Sequence, residues 1–187
     1  MQTLGLSEST PRTESRLKSL FWPTIRNQWD LDYVTTQGFW ICTLVGAMTF
    51  VFGFFSGSGI FGLLDFAFYV LAGCGVRRRS RAAAAIALAL YTLSGVALQA
   101  ATHQGFGIMR IIFTAVLLAN VRGIWLSSSW PEAETNPPLS VFDRISDRMP
   151  SVLWPRMAWL FYILAVLELV GVCMILFPIA PNSGLPG

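Results

Sequence analysis

"CGVRRRSRAAAAIALALYTLSG", residues 74–95, sets four arginines within five positions directly against a long apolar run. Such a basic run reads either as a nucleic-acid contact or as the edge of a membrane span. A nucleic-acid surface calls for a broader basic field, with exposed aromatics or a known module. The chain around this stretch supplies neither. The whole sequence of 187 residues is 54% hydrophobic and only 12% charged, about half the charge of an average soluble domain. So few charges cannot coat a globule of this size, and the missing solvent is lipid. The arginines therefore mark a turn between two membrane helices, and no nucleic acid is expected as a partner.

Working outward, a transmembrane helix needs about 20 apolar residues at 1.5 Å each. Five stretches meet or approach that length: 35–55, 60–76, 82–101, 106–126 and 157–177. The second is short and holds Asp65. The fourth is the least apolar, because Arg110 and Arg122 lie inside it. Pro178 suits the stop of the fifth. The fold class expected is all-α, a polytopic integral membrane helix bundle with five transmembrane helices. Polar sequence runs to Asp32 before any apolar core begins, and no A-x-A site follows that core, so the first span is expected to stay as an anchor rather than be cleaved.

The connectors set the orientation. Segments 56–59 and 102–105 and the tail 178–187 carry no Lys or Arg. The segment before the first span, the turn 77–81 and the segment 127–156 all do. Basic residues thus occupy alternate connectors, and Lys and Arg favour the cytoplasmic side. The expectation is N-terminus inside and C-terminus outside. Trp22, Trp29, Trp40, Trp125, Trp130, Trp154 and Trp159 all fall on that inner side or in the inner half of a span, where interfacial tryptophans belong. Four units follow: 1–34, a cytoplasmic segment with a short interfacial helix at 13–22; 35–126, a four-span core; 127–156, a cytoplasmic loop; and 157–187, the fifth span and its tail. Within the loop, 140–149 alternates Val141, Phe142, Ile145 and Met149 with Asp143, Arg144, Asp147 and Arg148. It reads as a short amphipathic helix in the headgroup layer, ended by Pro150. Residues 127–138 read as a linker rich in breakers. Arg77, Arg78, Arg79 and Arg81 are candidates to bind anionic lipid headgroups on the inner side.

Three ionisable residues lie well inside the spans, and such residues are functional candidates by default. Asp65 and Arg110 sit at similar depth, roughly 6–8 Å below the outer ends of their spans, and are expected to pair. Glu168 lies near the middle of the fifth span with no cation at its level. Tyr91, Thr92 and Ser94 of the third span are its candidate partners. Arg122 is near enough to its span's end to snorkel. The third span, rich in Ala, is expected at the centre of the bundle, since small residues let helices approach closely. Gly53-x-x-x-Gly57 carries little weight because its second glycine lies outside the span.

The remaining chemistry is sparse. His103 is the single histidine and reads as a polar residue of an outer turn. A haem or chlorophyll ligand would also use one His, but no pocket pattern accompanies it, and no cofactor is expected. Cys42, Cys74 and Cys173 are scattered through apolar runs and read as structural thiols. No catalytic or metal-binding motif is present, among them G-x-S-x-G, H-E-x-x-H and the P-loop.

Ser80, Arg81, Ala82 and Ala83 at the entry of one span, with Asn120, Arg122 and Gly123 closing the next, give a pattern that resembles small uncharacterised bacterial multi-pass proteins. The resemblance covers roughly residues 60–126. It implies a four-helix core ahead of the loop and the fifth span, and no activity; the location expected is a bacterial cytoplasmic membrane. The function expected is a non-catalytic integral membrane protein, an accessory, scaffold or assembly subunit that binds other membrane subunits or itself. The alternative is a small oligomeric transporter or channel using Asp65, Arg110 and Glu168.

Overall fold

The computed structural model describes residues 23–25, 28–103, 107–127 and 141–177. They form five helices: α1 (Gln28–Phe55), α2 (Gly59–Arg77), α3 (Arg81–Thr102), α4 (Ile108–Leu126) and α5 (Val141–Leu176). Each is long and apolar enough to cross a membrane, and the chain is a multi-pass membrane protein. The expected interfacial helix at 13–22 and most of the linker at 127–138 lie outside the described residues.

The helices run alternately up and down, so the bundle has an arginine-rich end, around Arg77 to Arg81, and a far end. The turns are short. At the far end, residues 56–58 reverse the chain, with the Ser58 N–H donating to the Gly53 carbonyl at 2.9 Å. At the arginine-rich end, the N–H groups of Arg78 and Ser80 donate to Cys74 and Gly75 carbonyls at 3.0 and 2.9 Å. Arg79 takes a left-handed conformation with φ 57°. Ser80 then starts α3 as its N-cap, its Oγ accepting the Ala83 N–H at 3.3 Å. His103 ends α3, also left-handed at φ 54°.

The centre of the bundle is α2, not the alanine-rich α3. Every residue from Phe68 to Val76 is buried, and α2 packs against α1, α3 and α5. Its partner α1 comes closest where glycine faces glycine: a Cβ on Gly62 would lie 3.1 Å from the Thr49 carbonyl oxygen and 3.2 Å from the Phe50 Cα. Gly53 therefore matters through Gly62 on the neighbouring helix and not through Gly57. In α3, by contrast, Ala82, Ala89, Ala100 and Ala101 are exposed.

An aromatic chain crosses the interior. Trp154 and Phe161 of α5 lie 5.5 Å apart between centroids. Phe161 stacks on Phe68 of α2 at 5.4 Å and 10°. Tyr69 meets Tyr91 of α3 edge-on at 6.2 Å, and Tyr91 approaches Phe113 of α4 at 6.5 Å. One row of rings thus ties four helices together, each such pair adding about 0.5–1.5 kcal/mol beyond the area it buries.

The fifth helix corrects the expected boundary at 156 and the expected stop at Pro150. It runs unbroken through Pro150 and Pro155. A proline inside a helix costs about 3 kcal/mol, and contacts on both sides of the prolines outweigh that. Asp147 is held by Arg77, Pro150 is fully buried, and Trp154 lies against Gly75 and Ala83. The amphipathic segment and the last span are one helix of 36 residues, about 54 Å long at 1.5 Å per residue.

Candidate functional site

The polar residues of the bundle interior fall into two groups, one at each end. Towards the far end, Asp65 projects from α2 and Glu168 from α5. Asp65 lies one turn before Phe68, and Glu168 lies two turns after Phe161. Since α2 and α5 run antiparallel and Phe68 stacks on Phe161, both carboxyls arrive on the same side of the aromatic row. The two carboxyls are near enough to interact electrostatically. Tyr69, one turn below Asp65, lies near Glu168 and near Ser94 of α3. The Ser94 Oγ in turn donates to the Tyr91 carbonyl at 3.0 Å.

Arg110 does not join Asp65. It projects from α4, which packs chiefly against α1 and α3. Its guanidinium sits over the Tyr91 ring with Cζ 5.5 Å from the centroid, a cation–π contact worth roughly 0.5–2 kcal/mol. Gly95 makes the room: a Cβ there would lie 2.3 Å from the Arg110 Nη1. That Nη1 is buried and has no hydrogen-bond acceptor among the described residues. The expected Asp65–Arg110 pair is therefore replaced by two others, Asp65 with Glu168 and Arg110 with Tyr91. Of the three partners expected for Glu168, Ser94 stands nearby through Tyr69, while Thr92 donates to the Leu88 carbonyl of its own helix at 2.8 Å.

At the arginine-rich end, Arg77 turns inward, its side chain 11% exposed. Its Nη1 donates to Asp32 Oδ1 at 2.5 Å, to Thr35 Oγ1 at 3.0 Å and to the Asp32 carbonyl at 3.2 Å. Its Nε donates to Asp147 Oδ1 at 3.1 Å, and Nη2 bonds the same oxygen. One guanidinium thereby clamps α1, α2 and α5. This removes Arg77 from the residues expected to meet lipid headgroups. Arg81 is exposed and Arg79 half-buried, and neither has an ion-pair or hydrogen-bond partner for its side chain among the described residues.

The other residues singled out by the sequence have local roles. Arg122 turns to the chain ahead of α1, donating to the Pro23 carbonyl at 3.0 Å. Asn120 is buried and donates to the Val116 carbonyl at 2.9 Å. His103 is exposed and serves α3 as its cap, its N–H donating to the Gln99 carbonyl at 2.8 Å. Cys42 and Cys74 are buried, as structural thiols should be, whereas Cys173 is exposed on α5. Among the described residues, no three His, Cys, Asp or Glu side chains converge as metal ligands would.

Compared with known protein families, curated proteins and solved structures, the chain matches none.

Proposed function

We propose that this protein is a non-catalytic accessory, scaffold or assembly subunit of a larger membrane complex, in a bacterial cytoplasmic membrane. The observation that carries this reading is α5. It contains the most apolar of the five candidate spans, and that span is also the least buried. Only a narrow seam, Phe161, Leu164, Ala165 and Val172, is buried against the bundle. Ile163, Val166, Leu167, Val170 and Met174 are left exposed around it. The Arg77 clamp and the aromatic row hold that helix in one position, which suits a surface that other subunits recognise. Purification of the full chain from native membranes in a mild detergent should bring a fixed set of larger membrane proteins with it. Cys173, the one exposed thiol of the three, should cross-link to one of them, and Cys173→Ser should abolish that product. Recovery of the chain alone, or only with copies of itself, rejects the proposal.

A second reading, a small oligomeric transporter or channel for protons or cations, is favoured by the Asp65–Glu168 pair. Intramembrane carboxyls are the groups from which proton relays are built. Such a pair inside an apolar bundle is a site where a proton could be held and exchanged. Reconstitution into liposomes with an imposed pH gradient decides it. Flux that disappears in Glu168→Gln and Asp65→Asn supports the transporter, and no flux above empty liposomes rejects it.

A further inference from the structure

We infer that the outward-facing side of the α2–α3 turn, through Arg79 and Arg81, is a binding surface for anionic phospholipid headgroups. This goes beyond the proposed role in assembly and does not depend on it. The turn lies where headgroups are. The helices it joins, of 19 and 22 residues, are about 28 and 33 Å long, close to the roughly 30 Å hydrocarbon thickness of a bilayer. Asp32 and Asp147 are both bonded to Arg77, and neither Arg79 nor Arg81 is bonded to an acid among the described residues.

Both arginines also stand where their own backbone disfavours them. Arg79 holds φ 57°, a left-handed conformation that glycine adopts without strain and that a residue with a Cβ adopts at a cost of about 1–2 kcal/mol. Arg81 is the first residue of α3, and that first turn holds no acid, although the positive end of the helix dipole favours acids and disfavours cations. Neither charge is repaid by a partner among the described residues. Two costly placements of the same charge, side by side in the headgroup layer, are what a surface selected for phosphate diesters would retain.

The test uses the full chain, purified in a zwitterionic detergent and supplied with phosphatidylglycerol or phosphatidylcholine. Bound lipid is read by native mass spectrometry and the melting temperature by thermal unfolding. Phosphatidylglycerol should bind more tightly and raise the melting temperature more than phosphatidylcholine. Arg79→Gly and Arg81→Gln should each lower phosphatidylglycerol affinity roughly fivefold, the equivalent of about 1 kcal/mol per arginine near an anionic surface. Arg79→Gly should at the same time raise the lipid-free melting temperature, because it relieves the left-handed backbone. That opposite movement separates a lipid contact from a fold contact. Equal responses to the two lipids, an undiminished preference in the double variant, or a lipid-free melting temperature lowered by Arg79→Gly would each overturn the inference. Inorganic phosphate that reproduced the phosphatidylglycerol shift would overturn it too, since the surface would then take free anions and not lipid.

Discussion

At the scale of single residues, Arg77 shows what position along a helix leaves open. In the sequence it is one of four arginines in a turn, and all four are equally able to meet lipid. In the fold Arg77 turns inward, because α1 and α5 bring Asp32 and Asp147 to it. A basic run announces an interface by composition, but the direction each side chain takes depends on neighbours far along the chain. Arg77→Gln should therefore destabilise the protein, leaving two carboxylates without their shared cation. A fully buried pair broken this way costs about 3–5 kcal/mol. Here the Asp32 side chain is 51% exposed and the Asp147 side chain 28%, so solvent screening reduces the expected loss to roughly 1–3 kcal/mol. Asp147→Asn should cost more than Asp32→Asn, since Asp147 is the less exposed and receives both Nε and Nη2. Thermal unfolding in detergent of the single and combined variants checks this. Losses that simply add across Arg77, Asp32 and Asp147 would show that the three groups do not act as one clamp.

At the scale of helices, the length and apolar character of all five were readable, and their ends fell within a few residues of expectation, except at the starts of α1 and α5. Which helices touch was not readable. In water, a helix declares its buried face by alternating apolar and polar residues. In a bilayer, lipid is as apolar as the core, so inward and outward faces look alike in the sequence. Depth could still be counted from the span ends, and it put Asp65 level with Arg110. Depth gives no azimuth, and Arg110 turns onto Tyr91 of α3 instead. Double-mutant cycles should therefore find a coupling of at least about 1 kcal/mol between Asp65 and Glu168 and less than about 0.5 kcal/mol between Asp65 and Arg110. The reverse result would restore the pairing that depth alone suggests. Glycine contacts were hidden for the same reason. Gly62 faces the α1 backbone, which cannot move aside as a flexible side chain would, so Gly62→Val should cost about 1–3 kcal/mol by overpacking. Gly171 has nothing within 4 Å of the position its Cβ would take. Gly171→Val should leave the melting temperature nearly unchanged and serves as the control.

Across the whole molecule, charge is distributed far more unevenly than the total of +3 suggests. Arg77, Arg78, Arg79, Arg81, Arg148 and Arg156 all belong to the end where α2 stops and α3 and α5 start. Among the described residues, Arg110 is the one Lys or Arg of the far half, and it is turned onto Tyr91. The unbroken α5 strengthens this asymmetry. A helix of about 54 Å exceeds a 30 Å hydrocarbon layer by more than 20 Å. Exposed Arg148 and Arg156 lie in its first half, so the excess belongs at the arginine-rich end. Lys and Arg near span ends are held on the cytoplasmic side during insertion, which predicts that the arginine-rich end faces the cytoplasm and the 56–58 turn faces outward. The buried Cys42 and Cys74 leave Cys173 as the thiol to remove, and Cys173→Ser provides a background for labelling. On that background, a membrane-impermeant maleimide added to sealed cells should modify Ser56→Cys at the far end. It should miss Ser140→Cys, next to the start of α5, until the membrane is opened. Labelling of the second site and not the first would invert the molecule. It would also place Asp65 and Glu168 nearer the cytoplasm, so that a polar path to them would open to the cell interior and not to the outside.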